Sequence, residues 1–349
     1  SLVNDLRSEL NKAAKENVAY DLHGDNPTDV KTWIPTGSTL LDYLISNKRN
    51  GGIPVGKLTT IAGESASGKS LVVTQILANT QKMGGLAVYI DTENAASPDF
   101  MEQLGLDTKN NFMYVQPGTI EEVFENIERL IGLIREKAPT KLVCIVWDSV
   151  AGTPVKAEIE GDYDPNSRIG LTAKALAKGM RKVTETLGRE QIALVFTNQL
   201  KTNIGVMFGD NRVEPGGKAL PYHASARIWL TQHKSKANGE IRNAKKQIIG
   251  FHTSAKTMKS RFGPSPRTCE FDVLFDLAND RVGIDDESSW LSAIGGTPGC
   301  VRSGAWYTIN VDGEDKKFQS KDFPKLLEDE NFKKRVLDIL EDECRIGKK

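Results

Sequence analysis

The sequence predicts an α/β fold with a mostly parallel central sheet, an N-terminal helix and a small α+β C-terminal domain. From Trp33 to about Ala278, apolar runs typical of strands alternate with helical patterns, which is the arrangement of parallel α/β sheets. From about Gly283 the pattern changes to short pieces and a terminal helix. We therefore divide the chain into an N-terminal helix with its linker (residues 1–32), a core (33–282) and a C-terminal domain (283–349).

Within the core, strand-like segments are rich in β-branched and aromatic residues, and helical segments show apolar side chains at helical spacing. The candidate strands are residues 57–62, 86–91, 141–147, 192–197, 226–231, 248–255 and 269–275. The candidate helices are residues 71–83, 98–104, 119–137 and 169–187. Because the last strands come without long helices between them, we expect antiparallel pairing at that edge of the sheet.

The start of the chain predicts an amphipathic helix over residues 2–16. Its apolar side chains recur at helical spacing, at Leu2, Val3, Leu6, Leu10, Ala13 and Ala14. Residues 23–32 are polar and contain an Asn-Pro pair, which is typical of a linker. A helix of this length cannot bury its apolar stripe alone. It must dock on the core or on a neighbouring subunit, and the pattern leaves both alternatives open.

The composition is that of a globular protein without an overall charge bias. Lys and Arg together number 46, as do Asp and Glu, so any site for a polyanion must be a local basic patch. The four cysteines lie far apart and the four histidines lack metal-ligand spacing, which argues against a disulfide framework or a zinc site. No apolar run approaches the ~18 residues of a membrane span, and the first residues lack the basic start of a signal peptide. We expect a cytoplasmic protein without a membrane partner.

A phosphate-binding loop is the clearest chemical signal in the sequence. Residues 63–70 fit the spacing G-x-x-x-x-G-K-[ST] between a strand-like and a helical segment, which is the context that this motif requires. The glycines let backbone N–H groups face a polyphosphate, the lysine reaches its β- and γ-phosphates, and the last hydroxyl ligates Mg²⁺. We therefore predict a site for a nucleoside triphosphate and Mg²⁺, formed by Gly63, Glu64, Ser65, Ala66, Ser67, Gly68, Lys69 and Ser70.

Two further strand-like runs end in acidic residues. The run over residues 141–147 is followed by Asp148, and a carboxylate at such a strand end holds Mg²⁺ in phosphate-loop ATPases. The run ending at Ile90 is followed by Asp91 and Glu93, one of which must orient and activate the attacking water. The spacing alone does not choose between Asp91 and Glu93.

A glycine-rich segment over residues 198–218 combines large apolar side chains with basic ones. Ile204 and Phe208 lie among glycines, so the segment is too rich in glycine for a stable strand and too apolar for a solvated loop. One interpretation is a hairpin or loop that covers the core. The other is a loop whose apolar side chains insert between DNA bases, with Lys201 and Arg212 on the phosphates.

The predicted helix before this segment carries a row of basic side chains. Lys174, Lys178 and Arg181 recur at helical spacing on one face of residues 169–187. Such a row is often only a solvated face. Beside a loop that inserts between bases, it can also follow a line of phosphates.

Together these motifs resemble the RecA recombinases. The resemblance extends from about Ile34 to Lys348 and is carried by residues 63–70, 90–93, 148–149, 154–161, 179–182, 198–199, 204–209 and 304–307. It implies a RecA-type P-loop ATPase core that binds ATP and Mg²⁺. It also implies a filament of many copies on single-stranded DNA, which exchanges strands with a homologous double-stranded DNA.

For the nucleotide site, the resemblance implies roles that spacing leaves open. Glu93 matches the catalytic carboxylate of the family, and Gln199 matches the glutamine that senses the γ-phosphate and links it to the DNA loop that follows. Phe100 falls where an aromatic ring stacks on adenine. Lys259 and Arg261 match a pair of cations that reach the ATP bound by the adjacent subunit.

For DNA, the resemblance implies two contact loops, over residues 158–171 and 200–218. The implied basic contacts are Lys174, Arg181 and Lys201, and the implied apolar contacts beside the bases are Ile169 and Ile204. The N-terminal helix matches the element that packs on the neighbouring protomer, which favours docking on another subunit.

Two other functions share some of these motifs. A ring-forming helicase motor has the same core and also binds single strands, and a non-enzymatic protein can use ATP only to switch its affinity for DNA. The N-terminal helix and the apolar segment over residues 204–208 favour the recombinase.

Overall fold

The computed structural model describes residues 1–24, 26, 28–160, 170–188, 190–202, 211–233 and 239–347. The DNA contacts predicted at Ile169, Ile204 and Phe208 lie outside these described residues, and they stay predictions. Within the described ranges, no helix is both long enough and apolar enough to cross a membrane.

Helices and strands alternate along most of the chain. The helices are α1 (Leu2–Ala14), α2 (Thr39–Ser46), α3 (Lys69–Lys82), α4 (Pro98–Gln103), α5 (Ile120–Lys137), α6 (Lys156–Glu160), α7 (Leu171–Leu187), α8 (Ala219–His223), α9 (Asp286–Ile294), α10 (Phe323–Leu326) and α11 (Glu330–Cys344). The strands are β1 (Trp33–Ile34), β2 (Ile53–Pro54), β3 (Leu58–Gly63), β4 (Leu86–Asp91), β5 (Phe112–Val115), β6 (Val143–Asp148), β7 (Ile192–Gln199), β8 (Lys201–Thr202), β9 (Arg212–Val213), β10 (Ala226–Gln232), β11 (Glu240–Arg242), β12 (Ile248–Ser260), β13 (Arg267–Asp276), β14 (Arg281–Asp285), β15 (Val301–Ser303), β16 (Trp306–Val311) and β17 (Glu314–Gln319).

The centre of the protein is a ten-stranded sheet with the order β14-β13-β12-β10-β3-β7-β6-β4-β5, and β11 pairs with β12. Pairing is parallel from β10 through β3, β7, β6 and β4 to β5. It is antiparallel among β10, β12, β13 and β14. The predicted mostly parallel sheet with an antiparallel edge is therefore confirmed.

The register brings the predicted acids and the phosphate loop to one edge of this sheet. Gly63 at the end of β3 is level with Gln199 at the end of β7, and Asp91 at the end of β4 is level with Asp148 at the end of β6. Parallel strands end at the same edge, where ligands bind in open α/β sheets.

Helices cover both faces of the sheet. On one face, α5 and α7 pack together over a cluster that includes the edge-to-face rings of Phe124, Trp147 and Phe196, whose centroids lie 5.0 to 6.4 Å apart. Gly179 lets α7 approach this cluster, because a Cβ at this position would overlap the ring of Phe124. On the other face, α2, α3, α9 and α11 pack over a second apolar cluster.

The C-terminal region contains an antiparallel sheet of β15, β16 and β17, with α11 packed beside it. Its buried side chains, Phe318, Phe332 and Val336 among them, belong to the same apolar cluster as those of α2 and α3. Strand β14 pairs with β13 of the large sheet. The predicted division between residues 282 and 283 lies within this strand, and the domain boundaries stay a prediction.

Most predicted elements of the core occur with ends close to those expected, but α2, β5 and β14 do not follow from the sequence pattern. Residues 40–46 of α2 are all buried, so the helix lacks the polar face that makes a helix recognisable in sequence. Strand β12 continues to Ser260, past its predicted end at residue 255, because it pairs with β10 along this stretch.

The N-terminal helix ends at Ala14, two positions before the predicted end at residue 16. Lys15 has a φ of 57° and its N–H donates to the Lys12 carbonyl, which terminates the helix in a left-handed conformation. The apolar stripe of α1 is exposed: Leu2, Val3, Leu6 and Leu10 are between 51% and 74% accessible.

Candidate nucleotide and DNA site

The phosphate loop, residues 63–70, connects the end of β3 to the first turn of α3. A Cβ on Gly63 would lie 2.8 Å from the carbonyl oxygen of Leu230, and Gly68 has a φ of +91°, a conformation that glycine adopts readily. Because α3 begins at Lys69, the N–H groups of its first turn and the positive end of its dipole face the loop. This local structure forms a site for phosphate groups.

Lys69 lies inside the loop and is only 9% exposed. Its Nζ donates to the carbonyl oxygens of Gly63 at 3.1 Å and Glu64 at 2.8 Å. Burial lowers the pKa of Lys69, while the carboxylates of Asp148 and Glu93 act to raise it. A phosphate oxygen is a stronger, charged acceptor than a carbonyl, so a bound triphosphate would replace these contacts.

The carboxylate of Asp148 accepts hydrogen bonds from three hydroxyl groups. Its Oδ2 accepts hydrogen bonds from Ser70 Oγ and Tyr89 Oη, each at 2.7 Å, and its Oδ1 accepts one from Thr197 Oγ1 at 2.5 Å. The structure thus brings the two predicted Mg²⁺ ligands, Ser70 and Asp148, into contact. Tyr89 and Thr197 are additions that sequence reasoning missed. Their only sequence signal is a hydroxyl group within an otherwise apolar run.

The oxygen donors of Ser70 and Asp148 suit Mg²⁺, which prefers hard oxygen ligands. In the described part of the chain, no group of three or more His, Cys, Asp and Glu side chains could hold a metal ion. Mg²⁺ is commonly bound through one or two carboxylates together with substrate phosphates, and the contact between Ser70 and Asp148 suits such a site.

The two candidate bases, Asp91 and Glu93, have different surroundings. Asp91 is fully buried, and its carboxylate accepts hydrogen bonds from the N–H groups of Glu93 and Ala96 and from the hydroxyl of Tyr114. Glu93 is exposed, and its Oε1 accepts a hydrogen bond from Ser149 Oγ. Of the two acids, Glu93 is the one within reach of a water molecule.

An aromatic cavity of about 340 Å³ opens beside the phosphate loop. It is lined by Phe100, Phe251 and Phe275 together with residues 66–71. The rings of Phe251 and Phe275 have centroids 6.2 Å apart. The structure therefore places Phe100 beside the phosphate loop and adds two rings from β12 and β13. Sequence reasoning missed these two, because their strands are remote from the loop in the chain.

Gln199 connects the nucleotide site to the second predicted DNA loop. It ends β7, next to Gly63, and the N–H of the following residue, Leu200, donates to the Gly63 carbonyl at 3.0 Å. Lys201 comes next, in the short hairpin of β8 and β9. A shift of Gly63 can therefore reach Lys201 through this hydrogen bond and the backbone of Leu200.

Lys201 and Lys174, two of the predicted DNA contacts, are both exposed. Lys201 lines a cavity of about 520 Å³ with residues 150–154, Glu158, Thr172 and residues 215–216, so the described parts of the two predicted DNA loops face each other there. Lys174 lies in a groove between α5 and α7 whose opposite wall carries Glu121, Glu125 and Glu128. These carboxylates partly compensate the charge of the basic row.

Arg212 is engaged with its own subunit. Its guanidinium donates to Thr231 Oγ1 at 2.8 Å and lies 5.2 Å from the ring centroid of Trp229. The side chain is half-buried. Its contact with DNA phosphates stays a prediction. Such a contact requires Arg212 to give up or to share its interactions with Thr231 and Trp229.

A basic group surrounds the end of β12. Burial lowers the pKa of His223, and Arg181, Arg261 and Lys259 lower it further, which places these three cations close to one imidazole. Lys259 Nζ also donates to two carbonyl oxygens of α8, at 2.9 and 3.0 Å. Arg181, predicted as a DNA contact, therefore neighbours the predicted pair of interface cations. Such a concentration of positive charge suits an anion.

Lys259 and Arg261 lie far from the phosphate loop of their own chain. The Arg261 N–H donates to the Ser225 carbonyl, and the Ser225 N–H donates to the Leu58 carbonyl, so Arg261 is level with the start of β3. The phosphate loop follows the other end of β3, and this strand of six residues rises by about 17 Å. The two cations cannot contact a triphosphate in their own loop.

Comparison with known proteins identifies the chain's relationships. The sequence model of the RecA N-terminal domain matches residues 3–279, a range that contains the phosphate loop, all the predicted site residues and most of the large sheet. The chain belongs to the RecA family.

Individual RecA proteins are similar along most of the chain. Protein RecA of Symbiobacterium thermophilum is 35% identical over 279 residues, which cover 79% of this chain and 73% of the relative. Protein RecA of Bifidobacterium breve is 35% identical over 88% of this chain and 74% of the relative. Protein RecA of Frankia casuarinae is 36% identical over 83% of this chain and 77% of the relative.

As a RecA-family protein, the chain is an ATP-dependent DNA recombinase and a DNA-dependent ATPase. The family assignment favours this function over the ring helicase and over the ATP-switched binding protein. The roles of individual residues stay predictions.

Proposed function

We propose that this chain assembles head to tail on single-stranded DNA as an ATP-bound filament, and that the filament exchanges strands with homologous double-stranded DNA. The observation that carries the proposal is the position of Lys259 and Arg261 at the end of β3 remote from the phosphate loop. Cations placed there can meet a triphosphate only on another subunit. Heterologous contacts of this kind produce open helical filaments when they do not close into a ring.

The exposed apolar stripe of α1 supports the same assembly. A monomer gains nothing from holding four large apolar side chains in water, whereas a neighbouring subunit can cover them. We propose that α1 docks on the adjacent protomer and that residues 1–32 act as an oligomerisation segment. The core and the C-terminal domain would then be residues 33–282 and 283–349.

In the proposed nucleotide site, the triphosphate occupies the phosphate loop and accepts hydrogen bonds from its N–H groups and from Lys69. Ser70 and Asp148 hold Mg²⁺, which when bound neutralises charge on the β- and γ-phosphates. The adenine ring packs on Phe100 within the aromatic cavity. These assignments rest on the geometry of the loop and on the hydroxyl contacts of Asp148.

In the proposed hydrolysis step, Glu93 accepts a proton from the attacking water while Lys259 and Arg261 of the adjacent subunit stabilise the γ-phosphate. Cations supplied in trans compensate charge that develops in the transition state. Gln199 contacts the γ-phosphate and transmits its presence through Leu200 to the DNA loop. Filament formation and hydrolysis would therefore depend on each other.

For DNA, we propose that Lys174, Arg181 and Lys201 neutralise phosphates and that Ile169, Ile204 and Phe208 contact the bases. The cavity that Lys201 shares with the first predicted DNA loop supports a strand running between the two loops. We also propose a cytoplasmic location.

A mixing experiment tests the shared site. Lys69→Ala subunits and Lys259→Ala/Arg261→Ala subunits should each be inactive alone, because one lacks the phosphate-binding lysine and the other lacks the cations in trans. A mixture should recover ATP hydrolysis at junctions that pair an intact loop with intact cations. The control mixes Lys69→Ala with the Lys69→Ala/Lys259→Ala/Arg261→Ala chain, in which every phosphate loop is defective. Absence of recovery at every ratio, with co-assembly confirmed by light scattering, would contradict the proposal.

A strand-exchange assay tests the function of the assembly. Incubation with ATP, Mg²⁺, single-stranded DNA and homologous duplex should give joint molecules, whereas heterologous duplex should give none. Displacement of a strand without homology would favour the helicase instead.

A further inference from the structure

The turn that carries Glu93 lies between β4 and α4, and it is contacted by one residue of β5 and by the residue that follows this strand. The hydroxyl of Tyr114 donates to Asp91 Oδ2 at 2.9 Å. The side-chain amide of Gln116, just after β5, donates to Asn94 Oδ1. These contacts lie on both sides of Glu93 in the chain, so the position of the turn depends on β5.

Asp91 links Tyr114 to the backbone of Glu93, because its carboxylate accepts hydrogen bonds from both residues. Its Oδ1 accepts from the Glu93 N–H at 2.9 Å, and its Oδ2 accepts from the Ala96 N–H at 3.0 Å in addition to the Tyr114 hydroxyl. Asp91 is fully buried, and a buried carboxylate depends on its hydrogen-bond donors. Removal of the hydroxyl leaves Oδ2 with a single backbone donor, and the carboxylate and the turn are free to shift together.

The hydroxyl of Tyr114 is suited to donate to Asp91, although the residue is 44% exposed. Burial of its hydroxyl raises the pKa of Tyr114, and the hydrogen bond to Asp91 raises it further, so the group remains a donor at neutral pH. Among the described residues, β5 pairs only with β4, which makes it an outer strand of the sheet. The turn is therefore held by a strand that has only one neighbour.

We infer that Tyr114 and Gln116 are positioning residues for ATP hydrolysis, which hold the turn through Asp91 and Asn94 so that the Glu93 carboxylate faces the nucleotide. The inference rests on the proposed role of Glu93 as the base. Neither side chain is among the residues that line the cavity beside the phosphate loop. Displacement of a catalytic group by about 1 Å is enough to lower a rate by up to ~10²-fold, so a loosened turn has a measurable effect.

The test replaces the hydroxyl alone. Tyr114→Phe should lower kcat for DNA-stimulated ATP hydrolysis by about tenfold, with KM for ATP and affinity for a non-hydrolysable ATP analogue unchanged. Gln116→Ala should change kcat in the same direction. Met113→Leu, at the neighbouring position of β5, is the matched control and should behave as wild type. A merely structural role for Tyr114 would lower Tm and leave kcat per folded molecule intact.

A second background separates this inference from the role of Glu93. If Tyr114 acts through Glu93, adding Tyr114→Phe to Glu93→Gln should cause no further loss. A wild-type kcat for Tyr114→Phe overturns the inference, as does a tenfold loss that persists in the Glu93→Gln background. The role of Glu93 is judged separately, from Glu93→Gln alone: if that variant hydrolyses ATP at the wild-type rate, the proposed base is wrong whatever Tyr114→Phe does.

Discussion

At the scale of single residues, the nucleotide site separates two acids that stand two positions apart. Asp91 is buried and receives three hydrogen bonds, two of them from backbone N–H groups, so its carboxylate holds the backbone of the turn. Glu93 is exposed and receives one side-chain hydrogen bond, from Ser149, so its second oxygen is available to water. A general base needs such access to the proton that it removes.

Substitutions at Lys69 and Glu93 should have different effects. Lys69→Ala should abolish ATP binding, because the phosphates lose the cation inside the loop. Glu93→Gln should bind ATP normally but hydrolyse it roughly 10²–10⁴ times more slowly, because the amide is nearly isosteric and is not a base. Fluorescent-nucleotide binding and phosphate release measure the two effects. Glu136→Gln, an exposed position on α5, is the control, and normal turnover in Glu93→Gln would refute the assignment.

The sequence predicts this site only in part. The phosphate loop is a local motif, and strands that end in acids bring Asp148 and Glu93 to the same sheet edge, so these positions follow from sequence. Tyr89, Thr197 and Tyr114 could not be found in this way. Whether a hydroxyl in an apolar run reaches a particular carboxylate depends on the register between strands, which the sequence pattern does not specify.

At the scale of elements, helix α7 carries cations with different neighbours. Lys174, Lys178 and Lys182 line a groove opposite glutamates of α5, where Lys182 lies 3.4 Å from Glu128. Arg181 instead belongs to the basic group at the end of β12. The even row read from the sequence is thus divided among separate surroundings in the structure. The sequence pattern cannot show this, because the neighbours come from α5, α8 and β12.

Removal of single cations should separate the DNA contacts from the other charges. Lys174→Ala or Lys201→Ala should weaken binding to single-stranded DNA of any sequence and should lower the slope of log K against log salt by about one unit. Lys182→Ala is the matched control, because this lysine is paired with Glu128. Fluorescence anisotropy over a range of salt concentrations measures the slope. An unchanged slope in Lys201→Ala would remove this residue from the DNA site.

Helix α2 contains a carboxyl group whose ionisation opposes folding. Asp42 Oδ1 accepts from the N–H and the hydroxyl of Thr36, at 2.9 and 2.7 Å. Burial raises the pKa of Asp42 well above its ordinary value of 3.8, the bonds from Thr36 lower it, and nearby Asp286 raises it. Asp286 also has a raised pKa, mainly through burial.

This arrangement gives a dependence of stability on pH with a definite sign. Since the pKa of Asp42 is higher in the folded than in the unfolded chain, the folded state binds more protons between the two values, and stability falls as the pH rises above 3.8. Asp42→Asn keeps an acceptor oxygen and removes the charge. The variant should melt at a higher temperature than wild type at neutral pH, and its Tm should fall less on going from acidic to neutral pH. Calorimetry over a pH series measures this, with Glu136→Gln as control, and parallel Tm curves for wild type and Asp42→Asn would contradict it.

At the scale of the whole molecule, α1 is held to the segment that directly follows it (residues 15–22), while its apolar stripe stays uncovered. Asn11 Oδ1 accepts from the N–H groups of Val18 and Ala19, at 2.9 and 2.8 Å, and Arg7 lies 3.7 Å from Asp21. These contacts order the helix against the segment that follows it. The apolar pattern alone left docking on the core or on a second subunit open, and the resemblance to the RecA recombinases favoured the second subunit. The exposure of the stripe supports the same choice.

Charges placed in this stripe should prevent assembly without unfolding the chain. Leu6→Asp/Leu10→Asp should abolish filaments and reduce DNA-stimulated ATP hydrolysis, whereas Tm should stay unchanged because both side chains are more than half exposed. Ser8→Asp lies on the opposite face of a helix with about 3.6 residues per turn and serves as the control. Electron microscopy and sedimentation measure assembly. Normal filaments from the double variant would show that α1 is not an interface.

In the proposed filament, where Lys259 and Arg261 complete the site of the adjacent subunit, the distance between the phosphate loop and the cations of the same chain makes the two ends chemically different. At one end, the terminal subunit presents a phosphate loop that no neighbour completes. At the other end, the terminal subunit presents Lys259 and Arg261 without a triphosphate to meet. A filament of n subunits therefore contains n − 1 complete sites, and hydrolysis per subunit should rise with the length of the DNA oligonucleotide that supports it. Only one of the two terminal subunits has a phosphate loop that a neighbour completes, so ATP is hydrolysed at one end and not at the other. Subunits should therefore join and leave the filament at different rates at its two ends.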